Sequence, residues 1–255
     1  MLEIKRVEKS FGGLKAVDDC SLEVRKGTIT GLIGPNGAGK TTLFNIITGH
    51  FKPDRGKIFF QGEAIEGLAP HQIFKKKVCR TFQITREFTH MTVLENLMIM
   101  PEHQLGERIW NTWFRPSTIR DQEKELRDKA LEVLEYVELI DLKDEYAGSL
   151  SGGQKKLTGL AKLLAAGAGS LGAERSLLLL DEPDNHLDLE GKAFLERTIR
   201  DYDGAVVIVS HDRYLLDLVV DEIVETVMER GGEVVFYQDG RLEGAGAPIG
   251  AILRY

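Results

Sequence analysis

Three short stretches carry the residue types and spacings that phosphate chemistry needs. The first is GPNGAGKTT, made of Gly34, Pro35, Asn36, Gly37, Ala38, Gly39, Lys40, Thr41 and Thr42. It matches the pattern GxxxxGK[ST], follows the apolar run TITGLIG and leads into KTTLFNIITG, whose apolar residues fall at helical spacing. Glycines let successive backbone N–H groups converge on phosphates, and the start of a helix adds its positive dipole end. In that setting Lys40 reaches the β- and γ-phosphates of a nucleotide, and the Thr41 hydroxyl ligates Mg2+. The second stretch, LLLLDE at 177–182, is an apolar strand that delivers Asp181 to the Mg2+ shell. Glu182 then stands beside the γ-phosphate, where it orients or deprotonates water. Such a strand taken alone also fits a plain surface turn, a reading that weakens once the phosphate loop is present. The third stretch is LSGGQ at 150–154, in which Ser151, Gly152, Gly153 and Gln154 open another helix and so a second phosphate-facing surface. A single nucleotide does not readily use both surfaces within one subunit. Two chains set head to tail do, each closing its second surface over the other's phosphate loop.

The elements that must position these residues are legible in outline. Residues 2–8 and 21–27 alternate in hydrophobicity as half-buried strands do, and KIFFQG at 57–62 reads as another strand after the turn KPDRG. The helix that follows the phosphate loop is expected to stop at Gly49. The middle third is helical: HMTVLENLMIM at 90–100 and DQEKELRDKALEVLEYVEL at 121–139. In the second of these, Leu126, Ala130, Leu131, Leu134 and Val137 share one face. Trp110 and Trp113 lie between them and are expected to pack within a helical subdomain, with a partner-facing aromatic patch as the alternative. The last third returns to strands. LLLLDEP at 177–183 and AVVIVSHD at 205–212 are continuous apolar runs ending in polar residues, the pattern of central parallel strands whose carboxyl ends carry a site. EVVFYQDGRLEG at 233–244 reads as a terminal hairpin turning at its Asp-Gly pair.

Bulk properties exclude several classes. The chain has 255 residues, 42% hydrophobic, enough for a substantial core without disulfides or structural metals. A formal net charge of −7 and a pI near 5.5 argue against a free-standing nucleic-acid binder. The short basic run of Lys75, Lys76 and Lys77 is expected to be a solvated helix face. Cys20 and Cys79, far from any metal-ligand spacing, read as reduced thiols of a cytosolic protein. The charged, alternating N-terminus has no apolar core of a signal peptide, and no run of 18 apolar residues occurs. Any membrane role is therefore expected to be played from the aqueous side.

With these motifs in order, the chain resembles an ATP-binding cassette (ABC) ATPase over nearly its whole length. The resemblance implies an α/β fold: a P-loop NTPase nucleotide-binding domain with a RecA-like core, an antiparallel β-subdomain and an α-helical subdomain. Core and β-subdomain would be residues 1–83 and 161–255, and the helical subdomain 84–160, ending in the signature motif. It implies ATP and Mg2+ as ligands. Phe11, in the aromatic slot ahead of the phosphate loop, would stack on adenine. Gln83, after VCRTF, matches the Q-loop that senses Mg2+ and water. Asp188, in NHLD, matches the D-loop at the dimer interface, and His211, in VSHD, the switch histidine that contacts the γ-phosphate.

Two subfamilies are resembled in different places. Residues 1–160, with RTFQITREFTHMTVLENLMI, the WNTWF stretch and LSGGQKKL, are similar to the ATP-binding subunits of branched-chain amino acid importers. Residues 161–224, with DEPDNHLDLEGKAFLERTIRDYDGAVVIVSHDRYLLD, are similar to the ABC-F family of ribosome-acting twin cassettes, although Asp184 stands where that family usually has Thr. The importer likeness implies a peripheral cytoplasmic subunit on the inner face of the cell membrane, paired with a second cassette and gripping a permease. The alternatives are a soluble ribosome-associated ATPase, or a recombined or designed cassette with ATPase activity only, seamed at the Gly/Ala-rich stretch 165–176. One cassette rather than two, and an acidic pI, count against the ribosomal reading. The specificity-bearing helical part favours transport.

Overall fold

Two kinds of strand build the molecule, and composition separates them. LLLLD and AVVIV are buried at every position, as strands covered on both faces must be, whereas LEIKRVEKSF and LKAVDDCSLEV alternate between buried and exposed residues. A computed structural model describes residues 1–81, 88–101, 110, 113, 116–165, 176–185, 187–228 and 234–238. The chain divides into two compact units. One comprises Met1–Gln83, Ala173–Asp184 and Leu195–Tyr255; the other comprises Ile84–Gly172 and Asn185–Phe194.

The first unit holds both sheets. Strands β1 (Leu2–Phe11), β2 (Leu14–Val24), β4 (Arg55–Phe60) and β5 (Glu63–Ala64) form an antiparallel sheet in the order β2-β1-β4-β5. The second sheet has the order β10-β9-β3-β8-β7-β6. Its members are β3 (Ile29–Ile33), β6 (Val78–Arg80), β7 (Leu177–Asp181), β8 (Ala205–Val209), β9 (Glu222–Met228) and β10 (Val234–Gln238). All pairings in it are parallel except β9 with β10. Helix α1 (Lys40–Ile47) contributes Leu43, Phe44, Ile46 and Ile47 to a core that also draws Leu2, Ile4 and Ile58 from one sheet and Leu32, Leu179 and Val207 from the other. The helix ends where predicted. Gly49 takes a φ of 76° and packs so tightly that a Cβ there would stand 2.5 Å from the Leu68 carbonyl oxygen. Helix α2 (Pro70–Lys75) follows, with Lys75 and Lys77 exposed and Lys76 paired with Glu63.

The second unit is helical: α3 (Val93–Met98), α4 (Pro116–Tyr136) and α5 (Gly152–Leu163), with α3 packed against both others. Ala130, Leu134 and Val137 of the predicted apolar face are buried. Thr92 caps α3 through a reciprocal pair with Glu95. Further along the chain, α6 (Leu189–Arg200) begins in the second unit and ends in the first, and α7 (Arg213–Val219) belongs to the first.

Two expectations change. The second strand begins at Leu14 rather than at residue 21, because shifts in register against β1 carry the pairing through the polar Asp18–Asp19 stretch. Trp110 and Trp113, expected to pack, are 75% and 82% exposed. The first arm of the predicted terminal hairpin, β10, pairs antiparallel with β9, and the Asp-Gly turn and second arm lie outside the described residues.

Candidate active site

In the parallel sheet the carboxyl ends of adjacent strands deliver the chemistry. β3 runs into the phosphate loop, β7 ends at Asp181, and β8 leads through Ser210 to His211. Gly39 caps α1 in the left-handed region, with a φ of 75°. A Cβ at this position would stand 2.1 Å from the Ala16 carbonyl oxygen, so only glycine lets β2 close over the loop. No side chain caps α1, so the electropositive start of the helix is left to a ligand. Pro35, Asn36, Gly37 and Thr41 are exposed there, Gly34 and Thr42 are half-buried, and Ala38 is buried.

Lys40 is 7% exposed, and its Nζ donates to the carbonyl oxygens of Gly34 at 2.7 Å and Pro35 at 2.8 Å. Burial pulls its pKa below the usual lysine value, while the negative charges of Glu182 and Asp181 act in the opposite direction. Both acids therefore lie within electrostatic reach of the ammonium. Asp181 is 3% exposed, and its Oδ2 accepts from Arg80 Nη2 at 2.8 Å. Glu182 adopts a φ of 47°, a left-handed conformation costly for a side chain other than glycine, and its N–H donates to the Val209 carbonyl at 2.8 Å. Strain held by a neighbouring strand is a mark of functional positions. Glu182 Oε1 lies 3.5 Å from His211 Nε2, and the imidazole is half exposed. Phe11 is 43% exposed, its ring edge-on to Phe51 at 5.2 Å and beneath the Lys9 ammonium at 5.6 Å. An open aromatic face of this kind accepts a planar base.

The donors suit Mg2+. A threonine hydroxyl and a carboxylate are hard oxygen ligands, and this ion takes one or two protein groups and completes its shell with water and substrate phosphates. Gln83 lies outside the described residues.

The second predicted surface is built in the helical unit. Ser151, Gly152, Gly153, Gln154 and Asp188 border one hollow of about 360 Å3, closed on the apolar side by Leu157 and Leu187. Ser151 caps α5: its Oγ accepts from Gln154 N at 3.3 Å, and Gln154 Oε1 accepts from Ser151 N at 2.9 Å. Asp188 Oδ1 accepts from Gly191 N at 2.8 Å.

Two polar residues without a motif also matter. Asn96, fully buried, accepts from Phe88 N and donates to the carbonyls of Phe88 and Thr92, fixing the segment that enters α3. Arg80 is the other. A charged residue at the end of the apolar strand VCR is the only local sign that it has a buried partner.

This arrangement is that of a nucleotide-hydrolysing cassette, and the comparisons agree. The profile described as ABC transporter matches residues 17–185. The probable branched-chain amino acid transport ATP-binding protein LivG of Archaeoglobus fulgidus is 41% identical over 187 residues, covering 72% of this chain and 67% of the relative. The high-affinity branched-chain amino acid transport ATP-binding protein BraF of Pseudomonas aeruginosa is 34% identical over 228 residues, covering 88% and 87%. The crystal structure of a nucleotide-free ATP-binding cassette from an ABC transporter superposes with a TM-score of 0.71 at 30% identity, over 94% of this chain and 92% of the other. The chain belongs to the ABC transporter family. It is an ABC-type ATPase with the expected α/β fold, a parallel nucleotide-binding core joined to an antiparallel β-sheet and a helical part.

Proposed function

We propose that the chain is the ATP-hydrolysing subunit of an importer of branched-chain amino acids, working as a pair of cassettes on the cytoplasmic face of a membrane permease. The observation that carries the reading is the likeness to the two transport subunits over most of this chain and of theirs. Among the described residues no helix is long and apolar enough to cross a membrane, so in this reading the pore belongs to other subunits. The likeness of residues 161–224 to ABC-F proteins gains no support from these relatives.

In this reading Phe11 stacks on adenine, and the loop from Gly34 to Thr42 holds the phosphates, with Lys40 leaving the Gly34 and Pro35 carbonyls for the β- and γ-oxygens. Thr41 and Asp181 hold Mg2+, together with Gln83. The ion, when bound, neutralises charge on the transferring phosphoryl group. Glu182 takes the proton from an attacking water, and His211, next to it, contacts the γ-phosphate. The Ser151–Gln154 turn and Asp188 of a second cassette close the site from outside. ATP binding draws the two cassettes together, hydrolysis lets them part, and that motion opens the permease to alternate sides. The boundaries proposed for the moving helical part are residues 84–160.

The test is association. Isolated with an affinity tag from detergent-extracted cells, the chain should bring down integral membrane permease subunits and hydrolyse ATP. Recovery with ribosomes and absence from the membrane fraction would overturn the transport reading.

A further inference from the structure

Arg80 joins the two elements that carry the candidate Mg2+ ligands. It ends β6, which pairs in parallel with β7 and sets Arg80 opposite Leu179, two residues before Asp181. One prong of the guanidinium, Nη2, donates to Asp181 Oδ2 at 2.8 Å. The other, Nη1, donates to Asn45 Oδ1 at 2.7 Å, and the guanidinium carbon lies 5.4 Å from the centroid of the Phe44 ring. Asn45 and Phe44 belong to α1, one turn on from Thr41. The two charged side chains are 6% and 2% exposed.

Such a pair is an expensive way to join two strands. Both ions must be taken out of water, and a well-packed apolar pair of similar volume would hold β6 to β7 at least as well. What an apolar pair does not supply is a fixed carboxylate plane. A planar guanidinium with donors at set angles does, and here its two prongs engage different elements.

We infer that Arg80 is a positioning residue for the divalent cation. It clamps the Asp181 carboxylate through Oδ2 and helix α1 through Asn45, so that Asp181 Oδ1 and the Thr41 hydroxyl face Mg2+-nucleotide in a fixed relation. The inference rests on the proposal that Asp181 is a Mg2+ ligand.

The experiment is binding of a fluorescent ATP analogue to the full chain, measured in Mg2+ and again in EDTA, with thermal unfolding to check that each variant is folded. Arg80→Ala should weaken binding about tenfold in Mg2+ and less than about twofold in EDTA, the size of effect that partners of metal ligands have. Arg80→Lys keeps the positive charge and loses the fork; it should melt near the parent and still lose most of the Mg2+-dependent affinity. Asn45→Ala leaves the Arg80–Asp181 pair and frees only the α1 prong, so it should fall between Arg80→Ala and the parent. It also carries the test if Arg80→Ala fails to fold. Equal losses in the two buffers, or full recovery by Arg80→Lys, would overturn the clamp. Asp181→Asn tests the underlying assignment separately. If it keeps the parental Mg2+ dependence, Asp181 is not a ligand. If it loses that dependence while the Arg80 and Asn45 variants retain it, the assignment stands and the clamp falls.

Discussion

The helices that open at Lys40 and at Gly152 both start in glycine-rich sequence, yet they satisfy their first turns in different ways. Ahead of α1, Gly39 is left-handed and no side chain caps the helix. Ahead of α5, Ser151 is extended, with φ −63° and ψ 164°, and closes a reciprocal cap with Gln154. The first terminus is a shape held ready by backbone alone, whereas the second fills itself while it waits. An anion competing for the α5 terminus meets a serine already in place, although the 3.3 Å bond to Gln154 N is long. The difference fits a division of labour in which α1 binds nucleotide within one chain, and α5 engages only when a second chain brings its nucleotide close.

Substitutions at the two termini sharpen that contrast. The largest effect belongs to the chemistry served by both: Glu182→Gln should lower ATP turnover by at least about 100-fold, the scale of a lost general base, while nucleotide binding persists. Parental turnover by this variant would move the base elsewhere. Next is Gly39→Ala, which sets a Cβ 2.1 Å from the Ala16 carbonyl oxygen at a φ of 75°. It should cost at least about 2 kcal/mol in urea unfolding and abolish nucleotide binding. Ser151→Ala should cost about 1 kcal/mol through the lost cap. Nucleotide affinity of the isolated chain should not change if, as proposed, the loop before α1 provides it. Smallest is Gly152→Ala, at an exposed first-turn position, where helix propensity predicts unchanged stability or a gain of up to about 1 kcal/mol. If Gly152→Ala proved as damaging as Gly39→Ala, the two glycines would not play different roles.

Much of this was legible in the sequence because the signals are local. LLLL and AVVIV announce strands buried on both faces, GxxxxGK[ST] between a strand and a helix announces the phosphate loop, and LSGGQ announces the start of α5, though not the cap that Ser151 and Gln154 close on it. What stayed hidden depends on contacts that no local pattern encodes. The Arg80–Asp181 pair spans 101 positions and follows from the register of β6 on β7, which no periodicity encodes. The role of Asn96 needed the loop it ties, since a lone asparagine inside VLENLM reads as an ordinary helical residue. The pairing of β10 with β9 was also not read from the sequence, whose Asp-Gly pair signals a turn on the other side of β10. For the two tryptophans the sequence left packing and exposure as alternatives and favoured packing, because residue type gives the affinity for burial and not the surface that meets it.

The claim that one chain holds half a site is tested most directly by the mass in solution of Glu182→Gln, measured by sedimentation with and without Mg2+-ATP. The account predicts a monomer without nucleotide and a dimer with it, the dimer disappearing when Gly153→Asp places a negative charge on the α5 surface. A Glu182→Gln chain that stays monomeric at saturating Mg2+-ATP, or dimerises equally well with Gly153→Asp, would contradict it.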